Sequence, residues 1–373
     1  MVREDEFMSV INIVLTGGPC AGKSTGLSRI EQELTKRGYK VYVVAETATE
    51  VITGGIKPSE IPWLEFQRSI FEIQTMKEKV FRERAEEYSN EHGVNCVVIY
   101  DRGLLDAKAF MTNKDYTTLL KLEGKQELEV KDSYDGVFHL KTAADGAEQF
   151  YTLENNGARS ETPEQARSVD KKIIKAWTGH PHLRIIDNST NFREKIDRLM
   201  AEIYSLLGEP IPNEIERKYL IKMPNLEDLC AKYSVTKLNI IQTYLNSFPD
   251  VERRVRQRGI AGVYSYYYTE KRGQGLTRIE VEKKISKEEY LDYLMEADTT
   301  LHQIRKDRYC FVYDNNYIEL DVYPFWKKYA IVEVELNNEG QEVIIPSDIE
   351  IIKEVTEDKK FKNKSLASNI EIL

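Results

Sequence analysis

The sequence predicts two folds in succession. The first is an α/β domain with a parallel sheet flanked by helices, and the second is an α+β domain built on an antiparallel barrel or sandwich of eight strands. Three observations predict this arrangement. A glycine-rich motif opens an alternation of strands and helices. Gly208, Pro210 and Pro212 then interrupt the chain, and beyond them short segments alternate strictly between polar and apolar residues.

Length and composition fit this division. A chain of 373 residues is too long for one compact core, and we expect a domain 1–209 and a domain 210–373. Its apolar runs are strand-sized, no signal-peptide core follows the acidic N-terminus, and four scattered cysteines form no metal or disulfide spacing. We therefore expect a cytoplasmic protein without membrane contact. The net charge of −9 argues against duplex nucleic acid as the main partner.

The stretch 17–25, with the sequence GGPCAGKST, follows an apolar strand and precedes a segment with helical spacing. In that context G-x-x-x-x-G-K-[ST] predicts a phosphate-binding loop, because glycines let backbone N–H groups face an anion at a helix N-terminus. Lys23 is expected to reach the β- and γ-phosphates of ATP, and the Ser24 hydroxyl to bind Mg²⁺. The predicted phosphate-binding residues of the motif are Gly17, Gly18, Gly22, Lys23, Ser24 and Thr25.

Two strands after the motif end in acidic residues. The strand 40–45 ends at Glu46, a long helix spans about 64–88, and the strand 95–100 ends at Asp101 and Arg102. Parallel strands place such residues at one edge of the sheet. We assign Asp101 to Mg²⁺ or to the role of base, Arg102 to phosphate charge, and Glu46 to the acceptor hydroxyl or to the role of base. The alternative for each acid is a helix cap.

Further strands are predicted at 134–140 and 182–188, with a closing helix at 192–207. Between those strands, the polar segment 150–170 carries Arg159 and Arg167. An arginine-bearing segment of this kind is typical of a lid that closes over phosphates and excludes water. The alternative is a solvated loop and helix.

Together, TGGPCAGKST, AETA, the YDRG turn, the two arginines and IIDNS resemble the P-loop ATPase/kinase family close to nicotinamide riboside kinases and other small-metabolite kinases. The resemblance covers about residues 9–207. It implies a kinase-like fold and the use of ATP, and it leaves the acceptor open.

The second half contains eight strand-like segments and one predicted helix, 287–296. Period-two spacing groups charged residues on single faces of these strands. One strand carries Glu214, Glu216 and Lys218, and another carries Arg254 and Arg256. Carboxylate pairs follow at Glu280 and Glu282, Glu319 and Asp321, and Glu333 and Glu335. Carboxylates suit hard divalent metals and Arg or Lys suits phosphate oxygens, although each strand taken alone also fits a solvated face.

The opening EIERK matches the E-x-E-x-K signature of the CYTH, or triphosphate tunnel metalloenzyme, superfamily. RVR, TEK, IEVE, IRKDRY, ELD and VEVE follow in that family's order, so residues 213–369 resemble it and imply an eight-stranded tunnel barrel. The resemblance implies metal binding by Glu214, Glu216, Glu333 and Glu335. It also implies triphosphate binding by Lys218, Arg254, Arg256, Lys271, Arg305, Arg308 and, in the late KNKSL segment, Lys364.

The sequence thus predicts a two-domain enzyme. Its tunnel hydrolyses inorganic tripolyphosphate or an organic or nucleoside triphosphate with Mg²⁺ or Mn²⁺, and Glu214 and Glu216 are its catalytic acids. Its P-loop domain binds ATP and acts as a small-molecule kinase or NTPase. Three alternatives stay open: a tunnel that senses phosphate or polyphosphate and regulates the P-loop domain, an RNA 5′-triphosphatase, and an adenylyl cyclase.

Overall fold

The computed structural model describes residues 10–150, 162–208, 215–248, 251–272, 279–336 and 343–369. The chain divides into two compact units between Ile203 and Tyr204, and each unit is treated by itself below. The expected domain boundary after residue 209 stays a prediction, because residues 209–214 lie outside the described part.

The first unit is built on a parallel sheet of five strands. The strands are β1 (Val10–Gly17), β2 (Lys40–Val44), β3 (Cys96–Asp101), β4 (Gly136–Leu140) and β5 (Leu183–Ile186). Their order in the sheet is β2-β3-β1-β4-β5, and every neighbouring pair is parallel. The central strands are buried on both faces, which is why they read as continuous apolar runs in the sequence. The predicted α/β fold is confirmed.

Helices flank this sheet. They are α1 (Lys23–Lys36), α2 (Thr47–Thr53), α3 (Trp63–His92), α4 (Asn113–Leu122), α5 (Glu127–Lys131), α6 (Pro163–Trp177) and α7 (Phe192–Leu206), with a 3-10 helix at Leu104–Phe110. The second part of the predicted polar segment 150–170 forms the beginning of α6. Thr162 caps that helix with its hydroxyl, and Pro163 occupies the first turn, where no backbone N–H is needed.

The second unit is built on one antiparallel sheet. Its strands are β6 (Ile215–Lys222), β7 (Thr236–Leu245), β8 (Val251–Ile260), β9 (Val263–Arg272), β10 (Ile279–Ile285), β11 (Ile304–Tyr313), β12 (Asn316–Val322), β13 (Tyr329–Leu336) and β14 (Ile351–Glu354). The sheet order is β10-β9-β8-β7-β11-β12-β13-β6-β14. All eight predicted strands are present, and the structure adds a ninth, β14. Its four residues are all exposed, so no apolar alternation marked it in the sequence.

One face of this sheet is apolar. It packs a core that includes Tyr219, Phe311, Leu320 and Val332 against α8 (Leu226–Lys232). Tyr266 and Tyr268 pack against α9 (Lys287–Leu294), and α10 (Asn363–Ser368) follows near the end of the described chain. None of the helices in the described ranges combines the length and the apolar character that a bilayer span requires.

Candidate active sites

The phosphate-binding motif lies where the sequence predicted it, between the carboxyl end of β1 and the start of α1. Gly17 has φ +151°, and a Cβ there would lie 2.2 Å from the Leu140 carbonyl oxygen, so no side chain fits. Gly22 has φ +91° and packs against the Phe192 ring. Lys23 is the first residue of α1 and is 8 % exposed, whereas Ser24 and Thr25 are exposed.

The backbone of this loop is held from outside by side chains that the sequence analysis did not select. Asp170 on α6 accepts a hydrogen bond from Gly18 N at 2.9 Å. The Thr142 hydroxyl donates to Pro19 O at 2.5 Å, and Lys195 Nζ donates to Ala21 O at 3.1 Å. These residues are at least 25 positions from one another and far from the loop along the chain, and they belong to no motif, so only the fold brings them there.

Asp170 is itself part of a buried pair. His139 Nε2 lies 3.1 Å from Asp170 Oδ1, and Thr142 N donates to the same oxygen at 3.1 Å. Burial by itself would raise the pKa of Asp170, but His139 and the two backbone N–H groups lower it. The carboxylate is therefore a fixed negative charge at the start of the loop.

Glu46 and Arg102 form an ion pair beside Lys23. Arg102 Nε donates to Glu46 Oε1 at 2.6 Å, and the Thr49 hydroxyl donates to Glu46 Oε2 at 2.8 Å. Burial alone would raise the pKa of Glu46, but the charges of Arg102 and Lys23 lower it to about 2. Glu46 precedes α2 but makes no side-chain capping hydrogen bond, so the helix-cap alternative is not realised.

Asp101 differs from Glu46 in its surroundings. Burial raises the pKa of Asp101, and the charge of Lys23 opposes that rise. Within the described part of the chain, Asp101 Oδ1 and Arg102 Nη1 are buried and have no hydrogen-bond partner. A carboxylate oxygen and a guanidinium nitrogen near Lys23 therefore remain available for a further contact.

The turn that carries Arg102 rests on two buried acids. Asp106 accepts hydrogen bonds from Gly103 N at 3.2 Å, from the Thr16 hydroxyl and from Trp177 Nε1 at 2.7 Å. Glu78 on α3 accepts from the Tyr134 hydroxyl at 3.0 Å, and that hydroxyl accepts from Leu104 N at 2.9 Å.

Glu78 is also linked to the same turn through a second side chain. Gln74 Nε2 donates to Glu78 Oε1 at 3.0 Å and to Arg102 O at 2.9 Å. Burial raises the pKa of Glu78 to about 7. Arg102 has a left-handed backbone conformation, with φ +72°. Through Gln74, this backbone is linked to Glu78, a buried acid with a raised pKa.

Of the two arginines of the predicted lid, the structure describes only Arg167. Arg159 lies outside the described residues. Arg167 is in the second turn of α6, where Nη1 donates to Ala144 O at 2.6 Å and Nη2 to Glu164 at 2.8 Å. Its guanidinium is thus tied to its own unit in this conformation.

In the second unit, the strand register places most of the predicted charged residues of the described strands on a single face of the sheet. Lys218 pairs with Glu333, Glu333 with Glu319, and Asp321 with Arg308. Directly paired residues of antiparallel strands share a face. On the other side of β7, the register aligns Arg254 with Thr269, Glu252 with Lys271, and Glu282 with Thr269. The face defined by these residues is called the charged face below.

Arg308 lies at the centre of the carboxylates on this face. It donates to Asp321 from Nε and Nη2, each at 2.7 Å, to Glu333 from Nη2 at 2.8 Å, and to Glu319 from Nη1. Burial would lower the pKa of Arg308, but Asp321, Glu319 and Glu333 raise it well above its usual value. The guanidinium is thus a permanent cation among three acids.

Lys218 extends this network to β6. Its Nζ lies 3.0 Å from Glu333 Oε1 and 3.1 Å from Glu216 Oε1. Burial would lower the pKa of Lys218, but Glu333 and Glu216 raise it. The pKa of Glu333, which burial would raise, is lowered by Lys218, Lys306 and Arg308. At neutral pH Glu333, Lys218 and Arg308 are therefore ionised.

Arg305 and Arg308, which were both predicted to bind the triphosphate, lie on opposite faces of β11. An odd separation along a strand puts two side chains on opposite faces, and Arg305 is exposed and donates to Gln303 at 3.1 Å. Lys306 takes its place on the charged face, where it is 5 % exposed and bonds to Asp321. The even spacing of Lys306 and Arg308 was the available signal.

Other predicted residues lie toward the basic end of the charged face. Arg256 Nη1 lies 3.6 Å from Glu282 Oε2, which also accepts from the Thr269 hydroxyl at 2.9 Å. Lys364 on α10 lies 3.8 Å from Glu252. Glu214 and the side chain of Glu280 lie outside the described residues.

A divalent metal has a restricted choice of ligands here. No group of three His, Cys, Asp or Glu in metal-binding geometry occurs in the described ranges. Cations engage Glu319, Asp321 and Glu333, and Lys218 also contacts Glu216, which faces Glu335 in the register of β6 and β13. Two opposed carboxylates offer the hard oxygen donors that Mg²⁺ and Mn²⁺ prefer. The donor set therefore fits a metal at the β6 end of the charged face.

Comparison with known proteins gives a match for each unit. A family model described as an AAA domain matches residues 12–195. An inorganic triphosphatase from Nitrosomonas europaea is 34% identical over 164 residues, which is 42% of this chain and 98% of the relative. That match lies in the C-terminal region.

Two solved structures are also similar. A crystal structure of an inorganic triphosphatase is 29% identical and covers 42% of this chain and 96% of its own, with a TM-score of 0.32. The structure of deoxyadenosine kinase from M. mycoides with bound dATP is 20% identical and covers 52% of this chain and 99% of its own, also with a TM-score of 0.32.

Proposed function

Because the chain belongs, in its C-terminal region, to the family of the CYTH-type inorganic triphosphatase from Nitrosomonas europaea, and carries an AAA-type P-loop domain before it, we propose a two-site enzyme. The charged face hydrolyses a triphosphate. The P-loop unit binds ATP and transfers its terminal phosphoryl group to a small acceptor or to water. The two activities are chemically independent in this proposal.

The observation that carries the triphosphatase proposal is the single charged face. The basic residues on it include Lys218, Arg254, Arg256, Lys271, Lys306 and Arg308. A linear triphosphate offers enough oxygens to engage several of these cations at once, and guanidinium groups match phosphate oxygens in pairs. Inorganic tripolyphosphate is our first candidate substrate, since the matched relative is an inorganic triphosphatase.

The acidic end of the same face supplies the other requirement of hydrolysis. Glu216 and Glu335, with Glu214, are the proposed ligands of Mg²⁺ or Mn²⁺. A bound divalent ion supplies a polarised water and neutralises phosphate charge. Lys218 stays protonated between Glu216 and Glu333 and orients both carboxylates.

In the P-loop unit, the backbone N–H groups of the loop and Lys23 bind the phosphates of ATP. Asp101 Oδ1 is the proposed contact to the Mg²⁺ shell, together with Ser24, because it is buried beside Lys23 without a partner in the described part of the chain. Glu46 remains ionised, orients Arg102 toward the phosphates, and faces the acceptor.

A substrate panel tests this proposal. Phosphate release is measured from tripolyphosphate, ATP and thiamine triphosphate, each with Mg²⁺ or Mn²⁺, while cyclic AMP is assayed in the ATP reactions. We expect tripolyphosphate to be hydrolysed with the highest kcat/KM. Absence of phosphate release from every triphosphate in the presence of both metals contradicts the proposed tunnel activity.

A further inference from the structure

Lys195 is a buried lysine to which neither motif assigns a role. It lies in the first turn of α7 and is 3 % exposed. Its ammonium donates to three oxygens: Ala21 O at 3.1 Å, Lys141 O at 2.7 Å and Asn188 Oδ1 at 2.7 Å. These three bonds use all the N–H donors of the group. All three acceptors are neutral, so the charge itself is not neutralised by a direct contact.

The contact with Ala21 reaches the phosphate-binding loop from behind. In a trans peptide the carbonyl oxygen and the following N–H point in opposite directions. By holding Ala21 O, Lys195 therefore fixes the N–H of Gly22 in the opposite direction within the peptide plane. The Thr142 hydroxyl acts likewise on Pro19 O and so fixes the direction of the Cys20 N–H.

The charge of Lys195 is balanced only at longer range. Burial is the main effect, and together with the cations Arg198 on α7 and Lys141 after β4 it lowers the pKa of Lys195 to about 8. Asp170 on α6 and Asp187 after β5 act in the opposite direction. No ion pair of Lys195 with a carboxylate occurs in the described ranges of the chain. An anion in the loop would thus be a strong additional partner for this charge.

We propose that Lys195 is a positioning residue of the nucleotide site, whose ammonium orients the Gly22 N–H and stabilises bound phosphates through the loop, so that nucleotide binding and protonation of Lys195 are coupled. This inference rests on the proposed binding of ATP by the P-loop unit. Because the coupling is reciprocal, bound ATP raises the proton affinity of Lys195, and loss of the proton weakens ATP binding.

The experiment is calorimetric titration of the full-length protein with Mg–ATP. Titrations at about pH 8.5, in buffers that differ in ionisation enthalpy, give the number of protons taken up. We expect about half a proton per ATP if bound ATP strengthens proton binding by Lys195 about tenfold. For the wild type we also expect the Kd to rise by about three- to tenfold between about pH 7 and about pH 9.

Two variants separate charge from hydrogen bonding. Lys195→Gln keeps a donor for the carbonyl oxygens and lacks the charge, and we expect it to bind weakly at both pH values without proton uptake. Lys172→Gln, at an exposed lysine of the same unit, is the matched control and retains the wild-type pH dependence. Circular dichroism of each variant establishes that it is folded.

Each outcome bears on the inference. Proton uptake in the wild type that disappears in Lys195→Gln supports it. A wild-type Kd that is independent of pH, or an unchanged uptake in a folded Lys195→Gln, overturns it and leaves the proposed ATP binding intact. Absence of Mg–ATP binding by the wild type at about pH 7 overturns both.

Discussion

Arg308 on β11 and Asp321 on β12 form a bidentate pair, with Nε–Oδ1 and Nη2–Oδ2 distances of 2.7 Å each. Asp321 is completely buried. The same guanidinium also reaches Glu319 and Glu333, so a planar fork of donors connects three neighbouring strands. A triphosphate bound to this face must share the Arg308 guanidinium with these acids. The geometry of the guanidinium N–H donors should therefore matter for binding as much as the positive charge.

Arg308→Lys keeps the charge and removes the fork. A lysine cannot bind two oxygens in parallel, so we expect kcat/KM for tripolyphosphate to fall by about a hundredfold or more. The matched control is Arg305→Lys, on the opposite face, for which we expect less than about a twofold change. Equal losses in the two variants would show that the face assignment is wrong.

Metal removal tests the acidic end of the charged face. Treatment with a chelator is expected to abolish tripolyphosphate hydrolysis, and Mg²⁺ or Mn²⁺ to restore it. Glu216→Gln removes one of two opposed carboxylates, so we expect the metal concentration for half-maximal rate to rise by about tenfold or more. Glu288→Gln, at an exposed acid of α9, serves as the control. Full activity in chelator contradicts the metal assignment.

Asp101 is expected to make ATP binding sensitive to Mg²⁺. Wild-type protein should bind Mg–ATP about tenfold more tightly than ATP in chelator, because the buried Asp101 oxygen helps to hold the metal shell. In Asp101→Asn this difference should disappear, whereas Asp197→Asn, at an exposed acid of α7, should keep it. The measurement is the Kd for ATP by calorimetry, with Mg²⁺ and with chelator. If the ratio of these two Kd values in Asp101→Asn equals that of the wild type, Asp101 is not part of the metal site.

Glu78 should make stability depend on pH. Its pKa is raised from 4.5 to about 7, so the folded state binds the proton more tightly than the unfolded state does. Stability is then lost as the pH rises from 4.5 to about 7, by up to about 3 kcal/mol. The side chain in Glu78→Gln is neutral at every pH. The free energy of unfolding of this variant, relative to that of the wild type, should therefore rise between pH 4.5 and about 7.

Urea unfolding at about pH 5 and about pH 8 measures this difference. The control is Glu86→Gln, an exposed acid on the same helix, for which the difference from wild type should be the same at both pH values. Parallel pH profiles of Glu78→Gln and wild type would mean that Glu78 is not protonated in the folded state near neutral pH.

The sequence predicted most of the architecture because its signals are local. The motif around Lys23 is a run of consecutive residues, and the period-two alternation of Glu333 and Glu335 lies within one strand. The side chains that hold the candidate sites in place are distant from them in the sequence. Asp170, Lys195 and Glu78 reach the phosphate loop or the Arg102 turn from distant helices, and only the packed fold brings them there. Strand β14 was not predicted because all four of its residues are exposed, so its sequence shows no alternation of polar and apolar residues.

The central claim is that the chain has two independent phosphate sites. It is tested most directly by phosphate release from tripolyphosphate and from ATP in wild type, in Lys23→Ala, and in the double variant Glu214→Ala/Glu216→Ala. We predict that turnover survives the loss of Lys23 and is lost with the two carboxylates. Activity confined to ATP, and abolished by Lys23→Ala, would contradict this claim and would mean that the P-loop unit alone carries the chemistry.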